Sequence, residues 1–258
     1  MLDWVIEGAT VVDGTGAALA AGAEGRGDGH VGRARRARSA ARERMSGHGA
    51  WLTPGFVDIH THYDGQATWD ETFSPSIQHG VTTVMMGNCG VGFAPHVTGR
   101  QAELIALMEG VEDIPGAALA EGVKFNWQSF GDYLDVLDAM PHSLDFLALV
   151  PHDPLRMAVM GDRALAQQAA TPADINAMQG QLRAALLAGA AGFSTGRTDN
   201  HRTSRGHETP ASEASAAELT GIAGAFQGLG HGVVQMVSDF DLLRGPERLA
   251  TEFDLVEA

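Results

Sequence analysis

The sequence predicts an α/β protein: an incomplete β/α barrel preceded by a partial small β unit. Three observations point there. From Trp51 onward, short apolar runs alternate with segments of helical spacing, the pattern of a parallel sheet with crossover helices. Histidine, cysteine, arginine and aspartate stand just after those runs, where a barrel keeps its chemistry. The 258 residues hold five strand candidates, fewer than the eight of a closed barrel. An open doubly wound sheet is the alternative, but it would need a Gly-rich phosphate loop after its first strand, and none is present.

Two regions follow from composition, residues 1–50 and residues 51–258. The chain opens with Trp4 to Val12, two short strands around Gly8, then a turn at Asp13-Gly14-Thr15-Gly16. Residues 17–49 are anomalous. They are almost all Ala, Gly, Arg and Ser, and carry Arg26, Arg33, Arg35, Arg36, Arg38, Arg42 and Arg44 of the 17 basic residues. Such a stretch buries too little apolar surface to offset its ordering entropy. A basic nucleic-acid arm has this composition. So does a GC-rich gene read locally out of frame, the preferred hypothesis, which resequencing the DNA would test.

In the second region the strand candidates are Phe56–His60, Thr82–Met86, Asp145–Val150, Gly192–Thr195 and Val233–Val237. Gln101–Met108 has helical spacing at Leu104, Ile105 and Met108, and Phe130–Met140 is amphipathic. Residues 109–128 are irregular and read as an insertion over the active face. Thr171 caps a helix with Pro172 at its first position; that helix runs to Ala188 and stops at Gly189. Another spans Ala211–Leu229, and a sixth begins near Ala258.

The totals narrow the function. At 44% hydrophobic, the chain can bury a sizeable core, and a formal charge of −15 argues against nucleic acid or an anionic membrane surface as partner. Cys89 is the sole cysteine, so no intramolecular disulfide forms and a reducing compartment is the default. With no signal peptide and no apolar span, a cytoplasmic location is expected. Lys124 is the sole lysine, the one candidate for a carboxylated metal bridge.

The strand ends carry the chemistry. The apolar lead-in Phe56, Val57 and Ile59 suits a buried strand ending in His60 and His62. At i, i+2 on a strand both imidazoles face one way and can hold one divalent metal, as in a metal-dependent hydrolase. Cys89, flanked by glycines after the second strand, is a further metal ligand as a thiolate. His152 follows strand three, where it orients substrate, supports another group or caps a helix. Arg197 follows strand four and suits bidentate binding of a substrate carboxylate. Asp64 is near enough to the His pair to support it.

Pro54-Gly55-Phe56-Val57-Asp58-Ile59-His60-Thr61-His62 resembles the first barrel strand of the amidohydrolase superfamily. Tyr63-Asp64-Gly65-Gln66, His79-Gly80-Val81-Thr82-Thr83-Val84, Gly87-Asn88-Cys89-Gly90-Val91-Gly92-Phe93-Ala94-Pro95 and Met108-Glu109-Gly110-Val111-Glu112-Asp113-Ile114-Pro115 narrow the resemblance to the N-acyl-D-amino-acid deacylases, the D-aminoacylases. The resemblance implies a small β-sandwich domain beside the barrel. It also implies zinc, held tightly by Cys89 with His60 and His62 at an adjoining weaker site, and an N-acyl-D-amino acid as small-molecule substrate. It places a metal-binding histidine at the end of strand five, where this chain reads Gln235-Met236-Val237-Ser238-Asp239. Asp239 is the oxygen ligand that could substitute. The family's strand-six histidine and catalytic aspartate would fall beyond Ala258, so no catalytic residue is assigned. A cyclic-amide hydrolase of the dihydroorotase or hydantoinase kind is the rival enzyme. It lacks the Asn-Cys-Gly block and uses a strand-four lysine that Gly192–Arg197 does not supply. A catalytically dead fragment is the non-enzyme alternative.

Overall fold

The computed structural model describes residues 2–16, 20–25, 31–32, 40–240 and 245–257. It divides into two compact units, Met1–Phe56 and Val57–Ala258.

In the first unit β1 (Leu2–Val11) is central. Val5, Ala9 and Val11 are buried at alternate positions, the signature of a strand with one covered face. β2 (Ala20–Gly25) runs antiparallel to β1, and β3 (Val31–Gly32) antiparallel to β2. β4 (Ala41–Ser46) and β5 (Trp51–Leu52) run parallel to β1. The two strands expected around Gly8 are one strand. Its register shifts between Ile6 and Thr10, and Gly8 takes a φ of 76° there. Such an irregularity lets the ladder continue past the kink. The Ala/Gly/Arg-rich stretch supplies β2, β3 and β4, against expectation. Backbone pairing onto an existing strand needs no large side chain, so composition alone misjudged it. Residues 17–19, 26–30 and 33–39 of that stretch lie outside the described residues.

The second unit is built on β6 (Phe56–Asp58), β7 (Val81–Met86), β8 (Asp145–Pro151), β9 (Gly192–Arg197) and β10 (Val233–Ser238), lying side by side in chain order. The β7–β8, β8–β9 and β9–β10 pairs are parallel. A doubly wound sheet reverses its order at a switch point. This one never does, so it is the arc of a β/α barrel. Helices α1 (Gln101–Glu112), α2 (Gly116–Gly122) and α3 (Phe130–Asp138) connect β7 to β8. Then α4 (His152–Met160), α5 (Asp162–Leu165) and α6 (Pro172–Ala188) lead to β9. Helix α7 (Ala216–Ala223) lies between β9 and β10, and α8 (Pro246–Glu257) follows β10. The core includes Val84, Met86, Leu104, Leu155, Met178 and Phe193, from strands and helices alike.

Helix α6 starts and stops where its Thr-Pro start and glycine stop place it: Thr171 Oγ1 accepts the Asp174 N–H, and Gly189 caps the end in the left-handed region. Other boundaries moved. The predicted insertion contains the last turn of α1 and all of α2. The 211–229 helix shortens to α7 and a 3-10 turn at Gly224–Phe226, because Ser215 acts as the N-cap through the Glu218 N–H. The β6 lead-in is not buried: Phe56, Val57 and Ile59 are 62%, 59% and 68% exposed. β6 pairs on one side only, with β7, which leaves it a sheet edge among the described residues.

Candidate metal centre

The parallel arc brings the C-terminal ends of β6, β7, β9 and β10 to one place. Asn88 joins the first two. Its side-chain amide donates to the carbonyls of Thr61 and Met85, and the Thr61 N–H donates to Met85 O at 2.9 Å. Asn88-Cys89-Gly90 forms a tight 3-10 turn in which Cys89 itself has a φ of 57°, an uncommon setting for a side-chain-bearing residue. Gly87 lets that turn close: a Cβ there would lie 2.2 Å from Leu149 O. The other side of the turn is held by β9 and β10. The Cys89 N–H donates to Gln235 Oε1 at 3.0 Å, the Gly90 N–H donates to Ser194 Oγ at 3.1 Å, and Ser194 Oγ donates to Gly87 O.

This framework carries Cys89 to the His pair. His60 Nε2 lies 3.1 Å from Cys89 Sγ. The His60 and His62 ring centroids are 5.4 Å apart. One donor atom each from His60, His62 and Cys89 lies within 4.8 Å of the others. Two imidazoles and a sulfur at that separation can converge on one borderline-soft cation such as zinc. His62 Nδ1 and His201 Nδ1 are buried without a hydrogen-bond partner.

Burial dominates the electrostatics of these groups. Burial, helped by His60 and His201, pushes His62 down to about 3, so its ring is neutral at pH 7, the form a metal binds. Burial, with the Glu112 and Asp64 carboxyls nearby, pushes the Cys89 thiol up to about 12. Burial raises Asp64 and Glu112 to about 7 each. A divalent cation inverts this logic by favouring thiolate and carboxylate together.

Two neighbours were not assigned from sequence. Glu112, at the end of α1, places Oε1 3.1 Å from His62 Nε2. His201, in the loop after β9, is close enough to His60, His62 and Asp239 for their charges to interact. The Glu112 block stood in the sequence without a chemical reason to single it out, and His201 read only as part of a basic loop after strand four. At the strand-five position expected to hold a histidine, Gln235 supports the Cys89 backbone instead. Asp239 is buried beside His201 and lies outside the His60–His62–Cys89 group. Lys124 is exposed, donating to Glu121 O.

His152 and Arg197 are engaged within the protein. His152 is fully buried: Nδ1 lies 2.9 Å from Thr195 Oγ1, and Nε2 lies 3.1 Å from Glu218 Oε1. No ring nitrogen is left for a substrate, and the side chain ties β9 to α7. Arg197 donates through Nε and Nη2 to both Glu252 oxygens, at 2.9 and 2.8 Å, and through Nη1 to Ala214 O. The strand-end position of each was readable; the buried carboxylate opposite each was not.

The amidohydrolase family model matches residues 47–257. A D-aminoacylase of Alcaligenes xylosoxydans xylosoxydans is 38% identical over 158 residues, 61% of this chain and 30% of that protein. A solved D-aminoacylase, described for its binuclear metal centre, matches with a TM-score of 0.76 at 32% identity, over 100% of this chain and 49% of that one. An N-acyl-D-glutamate deacylase of Bordetella bronchiseptica, solved with zinc and a phosphonate inhibitor, matches with a TM-score of 0.67 at 32% identity, over 90% of this chain and 44% of that one. The chain thus spans less than half the length of these relatives.

Proposed function

The chain belongs to the amidohydrolase family, and from that premise we propose that its function is the zinc-dependent hydrolysis of the amide bond of N-acyl-D-amino acids. One observation carries the reading: the 3.1 Å approach of His60 Nε2 to Cys89 Sγ, within a group that includes His62. Relatives named for acting on N-acyl-D-amino acids support the substrate class, and the neighbour solved with zinc supports the metal.

His60, His62 and Cys89 would hold the ion, which when bound supplies Lewis-acid polarisation of the amide carbonyl. The residues of this chain build the site. Asn88 and Gln235 fix the cysteine turn from two sides. Asp64, with Oδ2 buried and unpartnered, stands close enough to Cys89 to act on its thiol. Arg197 and His152 hold the walls through Glu252 and Glu218 rather than reaching a substrate.

The test is to purify the chain, measure bound zinc, and assay D-amino acid release from N-acyl-D-amino acids, with Cys89→Ala as the paired variant. Stoichiometric zinc that Cys89→Ala loses, with turnover in the parent chain, is the expected result. Zinc without turnover would support a metal-binding fragment with no activity of its own. Absence of zinc from the parent chain would sink the reading.

A further inference from the structure

We propose that His201, from the loop after β9, is a further donor to the cation of the metal centre, through its Nδ1. The proposal rests on the metal-centre reading above. It goes beyond that reading by bringing in a residue from an element that the His60–His62–Cys89 group does not use.

The argument begins at Gly196, near the end of β9. The Asn88-Cys89-Gly90 turn rests directly on this part of the strand. A Cβ on Gly90 would lie 2.7 Å from Gly196 N, and a Cβ on Gly196 would lie 2.4 Å from Cys89 O. That same point on Gly196 lies 3.5 Å from His201 Nδ1, the nearer of the two ring nitrogens. The turn that carries the cysteine and the imidazole of His201 therefore meet over one glycine, and any side chain there would drive them apart. Nδ1 is buried with no hydrogen-bond partner. A buried nitrogen left empty is costly unless something outside the chain fills it. The ring is also close enough to His60 and His62 for their charges to interact. Zinc takes four donors and can expand to five, so the three of the group leave room for a fourth beside a substrate oxygen.

His201 lies outside the group whose donors fall within 4.8 Å of one another. Its backbone is nevertheless held on both sides. Before it, the Asn200 N–H donates to Thr198 Oγ1 at 3.2 Å. After it, Arg202 and Glu208 form an antiparallel bridge, closed by the Thr203 N–H donating to His207 O at 2.8 Å. This small hairpin is fastened to α1, where the Ser204 N–H donates to Ala106 O at 2.8 Å. What remains is rotation of one side chain, and a histidine ring swings through several ångströms between its rotamers.

The experiment measures zinc affinity by chelator competition and records the Co(II) absorption spectrum. It compares the full chain with His201→Ala, His201→Cys and Cys89→Ala. His201→Ala is expected to weaken zinc by more than the roughly 10–100-fold that follows loss of a group behind a ligand. Its Co(II) bands should change, because a donor is lost. His201→Cys sets a thiolate at the same place. It should recover affinity and strengthen the sulfur-to-cobalt absorption beyond what Cys89 gives. Unchanged affinity in His201→Ala would overturn the proposal. So would weaker affinity with the Co(II) bands of the parent and no added sulfur absorption in His201→Cys. If Cys89→Ala still loses zinc, either result leaves the metal centre standing. A parent chain without zinc would remove both. Thermal melts of the metal-free proteins check that each variant is folded.

Discussion

Asp153 has no exposed surface, and burial pushes its carboxyl up to about 8 although it accepts the Ala211 N–H at 2.6 Å and lies near Arg156. Its Oδ2 has no partner. The sign of its linkage follows. Below about pH 4 both folded and unfolded chains hold the proton; as pH rises toward 8, the unfolded carboxyl ionises while the folded one keeps its proton. Folding stability is therefore lost across that window. Urea unfolding at pH 5 and pH 8 should show a smaller loss in Asp153→Asn than in the parent; equal losses would show that Asp153 is not the source. Gly110 supports a second prediction. Gly→Ala inside a helix ordinarily gains roughly 0.5–1 kcal/mol. Here the new methyl meets the 202–204 backbone, and Gly110→Ala should instead destabilise by about 1–3 kcal/mol, read as a lower melting temperature. At this scale the sequence showed donor types well and partners badly. The grouping of His60, His62 and Cys89 was legible because histidine and cysteine are rare residue types at strand ends. The engagement of Arg197 with Glu252 joins residues 55 positions apart and left no local trace.

Among the elements, β9 and α8 are joined by that buried pair. Glu252 is fully buried, also accepts from Ser238 Oγ, and forms an ion pair with Arg248, Nε to Oε1 at 3.0 Å. Removing one partner of a buried pair typically costs about 3–5 kcal/mol, because the other charge is stranded. Glu252→Ala should therefore approach that loss in denaturant unfolding, and the double variant Arg197→Met with Glu252→Leu should lose less than Glu252→Ala. A double variant worse than Glu252→Ala would show that the pair is net stabilising. Helix α6 was readable because its boundary signals are local: the Thr171–Asp174 capping box and Gly189. Helix α4 was not. His152, Asp153 and Arg156 are buried along with Pro154, Leu155 and Met157, so the segment lacks the polar stripe that marks a surface helix.

At the scale of the whole molecule, the barrel arc has two edges among the described residues, β6 and β10. Both expose apolar side chains: Val57 and Ile59 at or beside one, Val233 and Val234 on the other, the last 58% exposed. Unpaired strand edges beside apolar surface invite pairing with another chain. The purified chain should associate as concentration rises, and Val234→Lys should reduce this in light scattering. Concentration-independent monomers would contradict the expectation. No helix among the described residues is long and apolar enough to cross a membrane.

Local chemistry let the sequence by itself determine the β/α alternation of the second region and bring His60, His62 and Cys89 forward as one group. Periodicity, capping residues and rare donor types are all written within a few neighbouring positions. The tertiary structure alone decided which way Arg197 and His152 turned, that Gln235 supports Cys89, and that Glu112 and His201 stand beside the His pair. Each of those contacts spans many residues and depends on packing geometry, to which no short stretch of sequence is sensitive.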